Sequence, residues 1–363
     1  MAKPGRLWCS LSRRLGWTRQ RYPECERTYV HRPPTSDRVN WRRLPEWASG
    51  FLLAAIAGQP CIAAQIWLAG GGDPQARWHR PDFLSLFQPD APWSDVAGSI
   101  SVFKTTNAFI LKAPEDQVRL MIEYLQRRHI ALAVEMGLLN GAGSGCGRGI
   151  EGFAMPGAAA AVAERVKRLG GSLAYIAMDE PLWFGRYATK EGACHWEIGK
   201  IASVVAGEVA QLRMVVPDVR IGDIEPIGDR VPSWNKDIAE WANAYRAATG
   251  SPLAFLHADV QWETNWQPAL LATAHFARSA GIPFGVIVDG YFKSNTAREW
   301  TSTAERRLDA LIRDPSLQID DLVFQSWNRQ PERFLPETDP ASITGLVRHS
   351  LRPELHIKRP GTP

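Results

Sequence analysis

The stretch LAYIAMDEPLWFG, residues 173–185, decides how the rest of the chain is read. Leu173 to Met178 make an apolar run of strand character that ends in two adjacent carboxylates, Asp179 and Glu180. Pro181 then stops the strand, since proline brings no N–H to a ladder, and the aromatic pair Trp183 and Phe184 follows at once. An unbroken apolar run marks a strand buried on both faces, the habit of parallel sheets covered by helices. Acids at its C-terminal end then stand on the face where such sheets bind and react.

On both sides of this unit the alternation repeats. Strand-like runs fall at 64–68, 99–104, 130–135, 173–178, 219–225, 253–260, 283–289 and 322–327. Between them a period of 3.6 residues marks helices at 115–128, 158–169, 197–214, 236–249, 269–280 and 301–313. The crossover at 81–96 has the weakest helical pattern. Eight repeats predict an α/β fold, a (β/α)8 TIM barrel in a single domain over 65–335, with 336–363 as a peripheral tail. An open doubly wound sheet would need a phosphate-binding turn after its first strand. The glycines at 70–72, followed by Asp73 and Pro74, lack that spacing and its ensuing helix.

The chain has 363 residues and is 45% hydrophobic, enough for a sizeable core. No run reaches the roughly 20 apolar residues of a membrane span, so no stable membrane insertion is expected. The net charge of +4 is unevenly placed: residues 1–50 carry 11 Lys/Arg against 4 Asp/Glu, and the remainder is mildly acidic. That balance gives no ground for a nucleic-acid partner, and the single domain is read as a monomer. Residues 1–64 read as a basic extension followed by a signal peptide at 39–64. Arg42 and Arg43 are its charged region, Phe51 to Ala57 its apolar region, and Cys61 to Ala64 its cleavage zone. An exported protein, periplasmic or secreted, beginning near Gln65 or Ile66, is the expectation. Cys9, Cys25 and Cys61 precede that cleavage. Cys146 and Cys194 remain, on loops after neighbouring strands, and are expected to form a disulfide.

The strand ends carry the chemistry. Strand three ends in Glu135, strand four in Asp179 and Glu180, and strand five in Asp223 and Glu225. Strand six carries His257, Asp259 and Gln261 at one parity, strand seven Asp289, and strand eight Gln325 and Trp327. Ionisable groups are rarely buried unless paired or functional, so a ring of them predicts a site. Two carboxylates flanking a bond are the minimum for glycoside hydrolysis. Of 15 Trp, five (Trp183, Trp196, Trp262, Trp266 and Trp327) fall in or near the same loops, where ring faces suit the C–H faces of a sugar.

With its strand-four Asp-Glu-Pro, strand-seven carboxylate and strand-eight tryptophan, the chain resembles the clan A glycoside hydrolases. The resemblance implies a glycosidase acting on an oligo- or polysaccharide without a cofactor. It places Glu180 at the acid/base position, Asp289 where the clan has a nucleophilic Glu, Asp179 where it has Asn, and Trp327 under the sugar. Glu225 is the rival second carboxylate. Glu135, Asp179, Trp183, His257, Asp259, Gln261, Trp262 and Trp327 are expected to hold sugar hydroxyls and ring faces. Two other readings stand beside this one. A divalent-metal sugar isomerase or epimerase would use Glu135, Glu180, His257, Asp259 and Asp289 as ligands, although neither HxH nor HExxH occurs. A non-catalytic carbohydrate-binding barrel would keep the aromatics alone. The glycine-rich loop GAGSGCGRGIEG, residues 141–152, lacks the Gly-Lys-Ser/Thr of a phosphate loop and reads as a cover bringing Arg148 and Glu151 to the pocket edge.

Overall fold

The computed structural model describes residues 64–71 and 80–353. The basic extension, Cys9, Cys25, Cys61 and all of the expected signal segment except Ala64 lie outside the described residues. Eight parallel strands close into a barrel in sequence order. They are β1 (Gln65–Ala69), β2 (Ile100–Thr106), β3 (Ala131–Met136), β4 (Leu173–Asp179), β5 (Arg220–Ile227), β6 (Leu256–Val260), β7 (Phe284–Val288) and β8 (Asp321–Phe324). The expected (β/α)8 barrel is the fold.

Alternation along the strands separates two cores. Trp67, Val102, Ala133, Tyr175, Ala177, Ile224, Phe255, Ile287 and Val323 fill the barrel interior. A larger shell packs between sheet and helices. Two residues beyond Val102, Ala133, Ala177, Ile287 and Val323, the inward parity reaches Lys104, Glu135, Asp179, Asp289 and Gln325. Four beyond Phe255 it reaches Asp259. The same parity turns Asp223 and Glu225 out of the barrel, because Ile224 between them points in.

Helices Glu115–Arg127, Ala158–Arg168, Ile198–Val215, Trp234–Thr249, Trp266–Ser279 and Ala297–Arg313 cover the sheet. Each buries one stripe; in Ala297–Arg313 it is Trp300, Thr301, Ala304, Leu308 and Leu311. That helix starts four residues before the expected point, because the Thr296 hydroxyl caps it by accepting from the Glu299 amide. Among its described residues, the first crossover has only a 3-10 turn, Leu84–Phe87, and one helical turn, Ser94–Ala97. Pro81, Pro89 and Pro92 interrupt anything longer.

The described chain beyond β8, residues 325–353, is built into the shell. Helix Ile343–Ser350 buries Ile343, Leu346 and Val347, and Glu337 accepts from the Val96 amide at 2.8 Å. On the loops after β3 and β4, Cys146 and Cys194 are joined in a disulfide with Cα atoms 5.2 Å apart. No helix among the described residues is long and apolar enough to cross a membrane.

Candidate active site

The mouth at the C-terminal strand ends is lined by acids, and each has a different environment. Glu135 on β3 forms an ion pair with Lys104 on β2, a lysine that is 1% exposed. Gln325 after β8 donates its amide to the same carboxylate at 3.2 Å. Asp179 ends β4. Burial, then the nearby Glu135 and Glu151 carboxylates, push it up to about 8, against a weaker pull from Lys104 and a hydrogen bond from the Gly152 backbone. Gly152 has a φ of +77°, and a Cβ there would stand 2.8 Å from the Asp179 carbonyl oxygen. The glycine-rich loop therefore reaches the site backbone first, which only glycine permits.

Glu180 lies one residue past the strand in the left-handed region, with a φ of +46°. Two histidines, His129 and His195, share that region elsewhere, so the conformation alone does not mark function. Its amide donates to the Ile224 carbonyl at 3.1 Å, which holds the turn against β5. Burial raises the Glu180 carboxyl well above its ordinary range, and the Asp259 and Asp179 carboxylates add to the shift. Asp259 on β6 is in turn lifted to about 8 by burial, then by Asp289 and Glu135. Glu180 thus lies among other buried acids, which favour its protonated form.

Asp289, just past β7, is treated differently. Burial pushes it up to about 7, while the Arg307 guanidinium and the Trp262 indole pull it back. Trp262 Nε1 donates to Oδ1 at 2.6 Å and Arg307 to the same atom at 3.1 Å, so Oδ2 receives neither bond. Arg307 also lies over the Trp262 ring, 4.8 Å from its centroid. This fixes the indole edge-on to Trp266, ring centroids 4.9 Å apart.

The remaining expected residues divide by position. Glu225 is fully buried and faces outward, accepting from the Leu182 amide at 2.6 Å and the Trp183 amide at 3.2 Å. Both its oxygens serve the turn that follows Glu180. His257 does not reach the mouth. It lies lower in the interior, fully buried, stacked on Phe255 and 3.1 Å from Asp321. Gln261 lies alongside β5, where a Cβ on Gly228 would come within 2.6 Å of its side-chain oxygen. Trp183 packs edge-on against Trp234, centroids 5.7 Å apart. Trp327 is 39% exposed on the rim.

Lys104, Arg307 and Asp321 were not expected in these roles. Lys104 had a visible signal: a lysine of inward parity inside an apolar strand requires a buried partner. Arg307 had none, because it comes from a helix 18 residues past Asp289. Among the described residues no group of three or more His, Cys, Asp and Glu is placed to hold a metal ion. The one imidazole expected as a ligand is engaged by Asp321.

No family model and no curated protein matches the chain. Solved structures do. An endo-1,4-beta-xylanase from Caldicellulosiruptor owensensis aligns at 9% identity over 73% of this chain and 87% of its own, with a TM-score of 0.47. A GH10 endoxylanase from a sugarcane soil metagenome aligns at 9% identity over 79% and 97%, also with a TM-score of 0.47. A psychrophilic glycoside hydrolase family 10 endo-beta-1,4-xylanase aligns at 10% identity over 79% and 96%, with a TM-score of 0.48.

Proposed function

We propose that this protein is a glycoside hydrolase acting on an oligo- or polysaccharide, with Glu180 as general acid and Asp289 as the second carboxylate. One observation carries this: two buried carboxyls at the barrel mouth stand in opposite surroundings, one among acids and one held by a guanidinium and an indole. Burial and neighbouring carboxylates favour the protonated form of Glu180, while Arg307 and Trp262 pull Asp289 back from the level burial sets, to about 7. Such a split is how acid and base roles are divided between two carboxyl groups. Glu180 gives its proton to the glycosidic oxygen as the bond to the anomeric carbon breaks. Asp289, through the oxygen left free by its two donors, attacks that carbon or takes the proton of the attacking water. Glu225 stays outside the reacting pair because both its oxygens hold backbone amides.

Glu180→Gln tests the reading. Hydrolysis of glycosides with poor leaving groups should fall by on the order of a hundredfold or more. The loss on an activated aryl glycoside should be smaller, because its departure needs little protonation. Full activity of Glu180→Gln on every glycoside cleaved by the native protein would sink the assignment.

A further inference from the structure

A cavity of about 170 Å³ opens on the β1, β2 and β8 side of the mouth, lined among others by Arg80, Lys104, Thr105, Glu135, Gln325 and Trp327. It has room for several waters or the end of one sugar ring. The charges around it do not cancel. Lys104 is matched by Glu135. Arg80 has no carboxylate within ion-pair distance among the described residues. Its Nε donates to the Pro331 carbonyl at 2.8 Å and its Nη2 to the Asn328 carbonyl at 3.1 Å, and neither bond uses Nη1. Asp82, the acid acting on it from further off, uses its oxygens on the Phe334 and Leu335 amides. Burial lowers Arg80 only to about 10, so it stays charged at neutral pH.

Two further polar atoms of the lining are buried without a partner, Thr105 Oγ1 and Gln325 Oε1. Thr105 is 1% exposed and Gln325 8%. A half-buried cation with no counter-ion among the described residues, beside unsatisfied polar atoms, is costly, and a ligand bearing one negative charge and hydroxyl donors would relieve all three. Of the acids at the mouth, only Glu135 is in this lining, and it is already paired with Lys104.

We propose that this cavity binds a hexuronate unit, its carboxylate on Arg80, its hydroxyls on Thr105 and Gln325, and its ring against Trp327. The sugar part rests on the glycosidase reading; the charge preference rests on the cavity alone. A planar carboxylate suits a guanidinium with a free N–H edge, and its single charge matches the one cation of the lining that has no counter-ion among the described residues.

Calorimetric titration of the full chain with methyl β-D-glucuronide and methyl β-D-glucoside tests this. The glucuronide should bind tighter by on the order of tenfold, about 1.4 kcal/mol, and the preference should shrink with added salt. Arg80→Gln should bind the two alike, while Arg80→Lys should keep part of the preference. Should a melting curve show Arg80→Gln unfolded, Thr105→Val decides, since it removes only a hydroxyl that has no partner in the protein. A several-fold loss of glucuronide affinity supports the site, and unchanged affinity overturns it. Equal binding of both glycosides by the native protein also overturns it and leaves the glycosidase reading standing. Conversely, Glu180→Gln should keep the uronate preference, so a failure of the hydrolysis assay would remove the catalytic reading without touching this cavity.

Discussion

Backbone and side chain act together at Glu180. The left-handed φ turns its carboxyl off the strand line, and burial among acids favours its protonated form. Strain of this kind persists only where surrounding contacts over-determine it, and Glu225 supplies two of those contacts through the Leu182 and Trp183 amides. Glu225→Ala should leave both amides unpaired and destabilise the fold by about 1–3 kcal/mol, measured by denaturant unfolding. Glu225→Gln keeps an acceptor oxygen and should retain most of the hydrolytic activity, whereas Asp289→Asn should lose it on good and poor leaving groups alike. The reverse pattern would move the second carboxylate to β5. At Asp289 the expected pH effect follows from its partners. Arg307 pulls its pKa down from the level set by burial. In Arg307→Gln that pull is gone, so Asp289 stays protonated to higher pH. The acid limb of kcat/KM should then move upward from near pH 7, and an unmoved limb would mean another group titrates there.

Among the elements, strand parity was legible in the sequence and layer was not. Asp179, Asp289 and Asp259 sit at the mouth as their strand ends predict. His257, at the same parity as Asp259, lies two residues lower in the strand, where aromatic rings and Asp321 enclose it. The first crossover, whose sequence predicts a weak helix, holds only two short turns among the prolines of its described residues. The glycine-rich loop was read as a cover; in the structure it is tied down by the Cys146–Cys194 bond and by the Gly147 amide on the Gly192 carbonyl at 2.8 Å. Replacing both cysteines by serine should cost about 2–4 kcal/mol and raise KM more than it lowers kcat, because the loop meets Asp179 through the Gly152 backbone and the Glu151 charge and carries neither proposed reacting carboxyl. Thiol titration of the unfolded native chain should find neither Cys146 nor Cys194.

For the whole molecule, the clustered acids tie stability to pH. Asp179 and Asp259 stand at about 8 and Asp289 at about 7, against an ordinary value of 3.8. An unfolded chain releases these protons near pH 4, and the folded barrel holds them until pH 7 to 8. Between those limits the folded state binds more protons, so stability is greatest at the acid end of the window and falls as pH rises. The melting temperature should drop by a few degrees between about pH 5 and about pH 8. Asp179→Asn, which removes one such titration, should flatten the curve. A melting temperature that rises over this window would contradict the buried, protonated cluster. We also propose that the protein is exported. N-terminal sequencing of secreted or periplasmic material should then begin near Gln65, and recovery of an intact cytosolic chain starting at Met1 would refute it.

What the sequence determined by itself was everything written at short range. Apolar runs with a period of 2, helical stripes with a period of 3.6 and prolines at their ends specify eight strand–helix units, and parity says which strand-end acids face inward. The partner of each acid was decided by the tertiary structure. Lys104 meets Glu135 across 31 residues, Trp262 meets Asp289 across 27, and the Leu182 amide meets Glu225 across 43. These pairings depend on the stagger of neighbouring strands and on where the covering helices land, quantities fixed only when the barrel closes. The Trp262 pairing, with Arg307, pulls Asp289 back toward ionisation, and the Glu225 pairing fixes the turn that carries Glu180.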